Sequence, residues 1–364
     1  MAKPIIQKEG EIVNIVFRVD AGYQLGAGHV TRCVTLADEL KARGHSVTFI
    51  SRENPGHYCD FIQKSGYFVH RLRVAAQSET NSLESITAID AKTTRDIVKG
   101  KNIDWIVVDH YQLDASWAQE VRPFVKRILV IDELANRPLE CDILVNQDVL
   151  DNLQKSYVHL LEKNTKLLLG TKYATLRPQF ANARKSIRRR TGDVKSLLVG
   201  FGGSDSTNCT LKALEALRLF HPNIKPTHVI VGQNNIHKEP LEMLCGKEPS
   251  FLFHCQIENV ANLMAQSDLA IGAGGTMIWE RCCLGLPSFV ITIADNQRVL
   301  NQKLDEMGAV VHLGDDGTVT YREIYHAIQS VMEDKKRLAE MSQIGMELID
   351  GQGIDRIVNE MENV

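Results

Sequence analysis

Asp20-Ala-Gly-Tyr-Gln-Leu-Gly-Ala-Gly-His29-Val-Thr-Arg32 joins an apolar run, Ile12-Val-Asn-Ile-Val-Phe17, to a segment where Val30, Val34, Leu36, Ala37 and Leu40 recur at near-helical spacing. The run reads as a buried strand and Val30–Arg43 as a helix, so the stretch is a glycine-rich strand-to-helix turn. Glycine permits a sharp turn and close backbone approach, and the unpaired N–H groups of a helix start favour anions. A histidine at that position is placed to act as a base beside a bound anion.

The same alternation continues outward. Strand-like runs at Ser46–Ile50, Trp105–Asp109, Ile128–Asp132, Ile143–Asn146 and Lys166–Gly170 are interleaved with helical patterns at Tyr58–Lys64, Ser82–Lys99 and Ser116–Val121. This predicts a mainly parallel sheet covered by helices on both faces. The polar segment Arg73–Ser85 reads as a loop. The texture changes across Tyr173–Asp193, and the pattern then restarts with strands at Ser196–Gly200, His228–Val231, Phe251–His254, Leu269–Gly272 and Ser288–Thr292. Helices are expected at Asp205–Leu219, Val260–Gln266, Thr276–Leu284 and Gln297–Met307, and amphipathic stretches Tyr321–Met332 and Lys336–Leu348 finish the chain. The expected architecture is α/β, with two Rossmann-like domains, residues 1–180 and 190–364, facing a ligand cleft.

Bulk properties exclude several classes. At a formal net charge of -3, with acids and bases mixed along the chain, there is no basic field for nucleic acid. The one basic cluster, Arg184-Lys-Ser-Ile-Arg-Arg-Arg190, has no interleaved aromatics and reads as a solvated linker or helix end. No apolar run approaches the roughly 20 residues that span a bilayer. Residues 1–10 lack the apolar core of a signal peptide, so a cytoplasmic location is expected. The eight cysteines include no Cys-x-x-Cys and sit mostly in apolar segments, as buried reduced thiols do. No cluster has metal-ligand spacing, so neither metal nor cofactor is expected.

Three turns carry glycine pairs: Gly26-Ala-Gly28, Gly200-Phe-Gly-Gly203 and Gly272-Ala-Gly-Gly275. None is followed by Gly-Lys-Ser/Thr and none completes Gly-x-Gly-x-x-Gly, which argues against an ATPase or a dehydrogenase. Such turns in both halves suit a phosphorylated ligand held between domains. Gly274, Gly275 and Thr276 would open a helix able to bind a diphosphate, and Glu280, one turn on, can accept both hydroxyls of a ribose. Glu280 reads equally as a first-turn acid that complements the helix dipole, and Asn296 and Gln297 either bond a sugar or phosphate or cap the next helix.

Together these motifs resemble the UDP-sugar hydrolases of the pseudaminic-acid pathway, which act on UDP-2,4-diacetamido-2,4,6-trideoxy-β-L-altropyranose. The matching residues are Arg18-Val-Asp20, Gly26-Ala-Gly-His-Val-Thr-Arg32, Asp109-His-Tyr111, Asp142-Ile-Leu-Val-Asn146 and Tyr173-Ala-Thr-Leu-Arg177. In the second half they are Gly202-Gly-Ser-Asp205, Gly274-Gly-Thr276 with Glu280, Gly285-Leu-Pro287 and Asn296-Gln297. The chain departs from the pattern at Ile131-Asp-Glu133, where a second aspartate is expected in place of the glutamate, and in a longer tail after Tyr321. Spore-coat polysaccharide proteins share similar sequences.

The resemblance implies a GT-B-like fold, related to the peptidoglycan N-acetylglucosaminyltransferase, with UDP bound mainly by the C-terminal domain through Gly203, Gly274, Gly275, Thr276, Ile278 and Glu280. It implies inverting, metal-independent hydrolysis, water attacking the anomeric carbon with His29 as general base. Asp20, Gly28, Arg32, Tyr111, Arg177, Asn296 and Gln297 would line the sugar side. A helix start disfavours imidazolium, which suits a base; the alternative for His29 is packing or capping. Asp20 and Asp109 follow strands, where α/β sites collect residues, and Asp20 is expected to orient His29 or contact the sugar. Partners are the UDP-sugar and other enzymes of the same sugar pathway. The rival functions are a GT-B glycosyltransferase using the same base on an acceptor hydroxyl, and a non-catalytic nucleotide-sugar binder.

Overall fold

Strands buried on both faces need nearly continuous apolar runs. The expected runs all become strands in the computed structural model, which describes residues 12–23, 25–74, 86–203, 205–220, 225–233, 235–255, 257 and 259–363. The first sheet contains β1 (Asn14–Val19), β2 (Ser46–Arg52), β3 (Phe68–Leu72), β4 (Ile103–Asp109), β5 (Val125–Ile131), β6 (Ile143–Asn146) and β7 (Lys166–Leu169). All its pairings are parallel, in the order β3-β2-β1-β4-β5-β6-β7. The second contains β8 (Leu197–Gly200), β9 (Thr227–Val231), β10 (Phe251–Cys255), β11 (Leu269–Ala273), β12 (Ser288–Thr292) and β13 (Val311–Asp315). It too is parallel, in the order β10-β9-β8-β11-β12-β13.

Strands β3 and β13 went unread because, unlike the edge strands β7 and β10, neither carries a continuous apolar run. Phe68-Val-His-Arg-Leu72 and Val311-His-Leu-Gly-Asp315 mix polar residues into a half-covered run and lack the apolar continuity of the interior strands. From residue 75 onward the expected Arg73–Ser85 loop lies outside the described residues.

In each sheet the strand order reverses once, between β1 and β4 and between β8 and β11. Connections leave in opposite directions there, opening a crevice at the strands' carboxyl ends. The turn Asp20–Ala27 follows β1, and the turns Gly202-Gly203 and Gly274-Gly275 follow β8 and β11. All three glycine turns therefore sit at switch points.

The chain crosses between domains twice. The helix Pro178–Lys185 places Phe180 in a core cluster with Leu198, Ala270 and Trp279 of the second domain. The basic cluster begins at the end of this helix, as one of its two expected readings has it, and Arg184 and Arg190 in it also clasp the second domain. Arg184 donates to the carbonyl oxygens of Cys283 (2.7 Å) and Met346 (2.8 Å), and buried Arg190 donates to those of Ser267 and Met264.

Lys336–Leu348 does not finish the chain. A further helix, Gly353–Glu362, returns to the first domain, where Ile354, Ile357, Val358 and Met361 join the core around Phe17 and Leu36. The expected division, which left residues up to 364 on the second domain, is corrected by this return. Each such buried side chain contributes about 1.5–3 kcal/mol relative to exposure. The half-exposed pairs of Arg43 with Asp355 and Glu362 are worth at most about 1 kcal/mol each. The apolar seam therefore holds the helix in place.

Seven of the eight cysteines are buried, Cys255 being partly exposed, and all eight are unbridged. Among the described residues, no helix is long and apolar enough to cross a membrane.

Candidate active site

His29 is the second residue of the helix Gly28–Ala42, and Asp109 closes β4, whose register places it beside Val19 of β1. The first switch point thus brings the two together. His29 Nδ1 lies 2.5 Å from Asp109 Oδ1. Arg32, one turn along the same helix, donates from Nε to Asp109 Oδ2 (2.5 Å) and from Nη2 to Oδ1 (2.7 Å). Its remaining donors reach Glu133, which follows β5. Asp109 is an acceptor here, so His29 Nδ1 carries the proton and Nε2 holds the lone pair. Arg32 Nη2, 3.3 Å from His29 Nδ1, is then a neighbour and not a hydrogen-bond donor to it. Burial alone would raise the Asp109 carboxyl, but Arg32 and His29 hold it well below the usual carboxylate range.

Tyr111 sets its ring edge-on to His29 at 4.5 Å between centroids. Its hydroxyl donates to Glu133 Oε2 (3.3 Å) and accepts from Asn296 Nδ2 of the second domain (3.1 Å). The glycine turns meet across the same gap. A Cβ on Gly28 would stand 3.6 Å from Thr276, and one on Gly203 would stand 3.2 Å from the Tyr58 hydroxyl and 3.4 Å from Ala27. At Gly274 any side chain would overlap Asn301, so only glycine fits. Gln297 reaches back to its own loop, accepting from Ile293 N–H at 3.2 Å. Glu280 accepts from Arg177 Nη2 at 2.9 Å; burial raises its carboxyl and Arg177 partly offsets this.

Two expected residues sit elsewhere. Asp20 does not touch His29. Its oxygens take Arg18 (2.6 and 2.9 Å), the Arg52 N–H (2.7 Å) and His110 Nε2 (3.2 Å). This network includes buried Arg18 and Asp90, because a fully buried guanidinium must be paired. Ile278 points into the core beside Leu198 and Ala270, and its N–H is taken by Gly275 O at 2.8 Å. Glu133, Asp148, Arg281 and Asn301 were not among the expected site residues. Glu133 stands two residues beyond β5 as Asp109 stands at the end of β4, so the strand-end rule would have found it.

Asp148, just beyond β6, is buried close to Glu133 and Asp132. Burial first, then these two carboxylates, push its carboxyl up to about 8, with Arg32 opposing. A folded value above the unfolded one, about 3.9, means stability is full in acid and falls as pH rises toward 8. Asp148→Asn should remove that decline, raising Tm on the order of 5 °C at pH 8–9 with little change near pH 4. Thermal melts across pH check this; an unchanged slope between pH 4 and 8 refutes it.

Among the described residues, no three His, Cys, Asp or Glu side chains are arranged to hold a metal ion. Residues 197–353 match the glycosyltransferase family 28 C-terminal domain. The chain is 27% identical over 344 residues to the spore coat polysaccharide biosynthesis protein SpsG of Bacillus subtilis (strain 168), covering 93% of this chain and 94% of that one. It is 24% identical over 287 residues to the UDP-2,4-diacetamido-2,4,6-trideoxy-beta-L-altropyranose hydrolase of Campylobacter jejuni, 78% of this chain and 93% of that one. The crystal structure of Acinetobacter baumannii MurG superposes with a TM-score of 0.63 at 14% identity, covering 97% of this chain and 100% of that chain. The chain thus has the two-domain GT-B fold, and its sequence is related to that UDP-sugar hydrolase, the spore coat protein and the glycosyltransferase family 28 domain.

Proposed function

We propose that the protein hydrolyses a UDP-linked 2,4-diacetamido-2,4,6-trideoxy sugar to free sugar and UDP. The observation that carries this reading is His29, oriented by Asp109 at one switch point and preceded by Gly28, which lies against Thr276 of the other. His29 Nε2 takes a proton from water as its oxygen attacks the anomeric carbon, the bond to the diphosphate oxygen breaks, and UDP leaves with inversion. Gly203, Gly274, Gly275 and Thr276 hold the leaving diphosphate by backbone donors, and Glu280 accepts from the ribose. Tyr111 and Asn296, already joined across the cleft, contact the sugar, with Gly28 leaving room for it. Arg177 bridges the halves through Glu280, and Gln297 and Arg32 shape the pocket around Gly275 and Glu133.

The relation to the altropyranose hydrolase supports this substrate class. A second reading, transfer to an acceptor hydroxyl, is favoured by a cavity of about 380 Å³ next to the site, lined by Glu133, Leu134, Leu150, Val299, Gln302 and Lys303. Purified protein with the UDP-sugar alone separates the two. Stoichiometric UDP and free sugar, with the anomer read by proton NMR, supports hydrolysis; turnover only with an added acceptor overturns it. In the same assay Glu280→Ala should weaken UDP binding by about tenfold or more, with kcat little changed at saturation. A loss of kcat alone would take Glu280 out of the nucleotide site.

A further inference from the structure

One charge beneath the second switch point has no counter-charge. Arg281 is completely buried in the helix Met277–Cys283. Its Nη2 donates to the carbonyl oxygen of Ala273 at 2.7 Å, while Nε and Nη1 have no partner among the described residues. Its neighbour Glu280 pairs instead with Arg177. Burial pulls the guanidinium down to about 10, against a smaller pull from Cys282 and Glu280. Arg18 is compensated by Asp20 and Asp90 and Arg32 by Asp109 and Glu133, whereas Arg190, like Arg281, bonds only backbone carbonyl oxygens, though away from the glycine turns. A buried guanidinium without an anion is costly, so its position needs an explanation.

That position is informative. A Cβ built on Gly272 would stand 2.6 Å from Arg281 Nη1, and Gly272 is in register with Gly200 across the β8–β11 pair. The guanidinium therefore lies where the Gly202-Gly203 and Gly274-Gly275 turns diverge. The carbonyl that it binds belongs to the peptide between Ala273 and Gly274. In a trans peptide the N–H points opposite to the C=O, so the Gly274 N–H is directed away from Arg281. A charge-assisted bond at the oxygen polarises that peptide and makes its N–H a stronger donor.

We propose that Arg281 is a positioning residue for the diphosphate of a nucleoside diphosphate, charging the Gly274 N–H from beneath while the diphosphate supplies the missing anion. The inference rests on the UDP reading of this turn. Its signature is selectivity for the phosphates over the nucleoside.

Calorimetry with UDP and with uridine on wild type, Arg281→Gln and Arg281→Lys tests it. Glutamine keeps a donor for the Ala273 oxygen without the charge; lysine keeps the charge. Arg281→Gln should weaken UDP by about tenfold or more and uridine by less than about twofold, with Arg281→Lys nearer wild type. Equal weakening of UDP and uridine, or Gln outperforming Lys, would reduce Arg281 to a brace for the turn and overturn the proposal. Unchanged UDP affinity overturns it as well. If Arg281→Gln does not fold, the same ratio is read in Arg281→Met, which fills similar volume without charge. Wild type failing to bind UDP at all would instead sink the nucleotide reading beneath it.

Discussion

Replacing His29 with alanine is expected to lower kcat by about 10²–10⁴-fold, the range that a positioned general base contributes, while UDP affinity stays near wild type. The turns proposed to hold UDP belong to the other domain and do not use the imidazole. The fold should survive, because Asp109 keeps Arg32 as its charged partner after the ring is gone. No neighbour can replace His29. Arg32 is permanently protonated and holds two carboxylates. The other nearby imidazole, His110, accepts the Gln112 N–H at Nδ1 (3.1 Å), so its Nε2 carries the proton and donates to Asp20. It has no free lone pair, and burial further disfavours its charged form. Steady-state kinetics with separate UDP titration check this, and near-normal turnover by His29→Ala would place the base elsewhere.

The fold was legible wherever burial leaves a one-dimensional trace. Interior parallel strands are covered on both faces, so Phe17, Val107, Leu129, Ile143 and Ile271 stand in apolar runs that can be seen without coordinates. The polar edge strands β3 and β13 and the returning helix leave weaker traces. Gly353–Glu362 has a strongly amphipathic pattern, but nothing local says that its apolar face belongs to the first domain. The site divides in the same way. The positions of His29, Thr276 and Glu280 at or just beyond strand-to-helix turns were legible because glycines announce those turns. Asp20, the nearer carboxylate in sequence, is expected either to orient His29 or to contact the sugar, and the structure gives the first role to another residue. Asp20 lies nine residues before His29, but the switch point brings Asp109, eighty residues away, to the imidazole, and Asp20 is drawn off by Arg18. Strand order decides this, and a single sequence without pairing information does not contain it.

The same geometry bears on hydrolysis against transfer. Both need a base, a leaving-group cradle and a sugar pocket, and the three glycine turns serve either. What differs is the space behind the base. The cavity beside Glu133 is lined by Leu134, Leu150 and Val299 together with Gln302 and Lys303, a mixed surface on which an acceptor could rest. Glu133 stands between it and Arg32, so a substitution that alters Glu133 should change acceptor use more than water attack if transfer is the reaction.

Asp109→Asn carries the second large effect. Asparagine keeps the shape but loses the charge that stabilises the imidazolium formed as water is deprotonated. It also cannot satisfy His29 Nδ1–H, Arg32 Nε and Arg32 Nη2 at once, because one oxygen becomes a donor. The analogous change in a Ser-His-Asp triad costs about 10⁴ in kcat. Here Arg32 and Glu133 continue to frame the ring, and a loss of about 10²–10³ in kcat is expected, with UDP affinity unchanged. A merely structural Asp109 would act differently, lowering stability and nucleotide binding together. The two roles also separate with pH. The Asp109 carboxyl is depressed in the fold, so its contribution to stability is present above the unfolded value of about 3.9 and fades as pH falls below it. Asp109→Asn should therefore lower Tm at pH 7, by a margin that begins to narrow only as pH falls below about 3.9, whereas its kcat deficit is measured at pH 7 on folded protein. If kcat per folded molecule is unchanged, Asp109 holds Arg32 and the helix in place but does not orient the base.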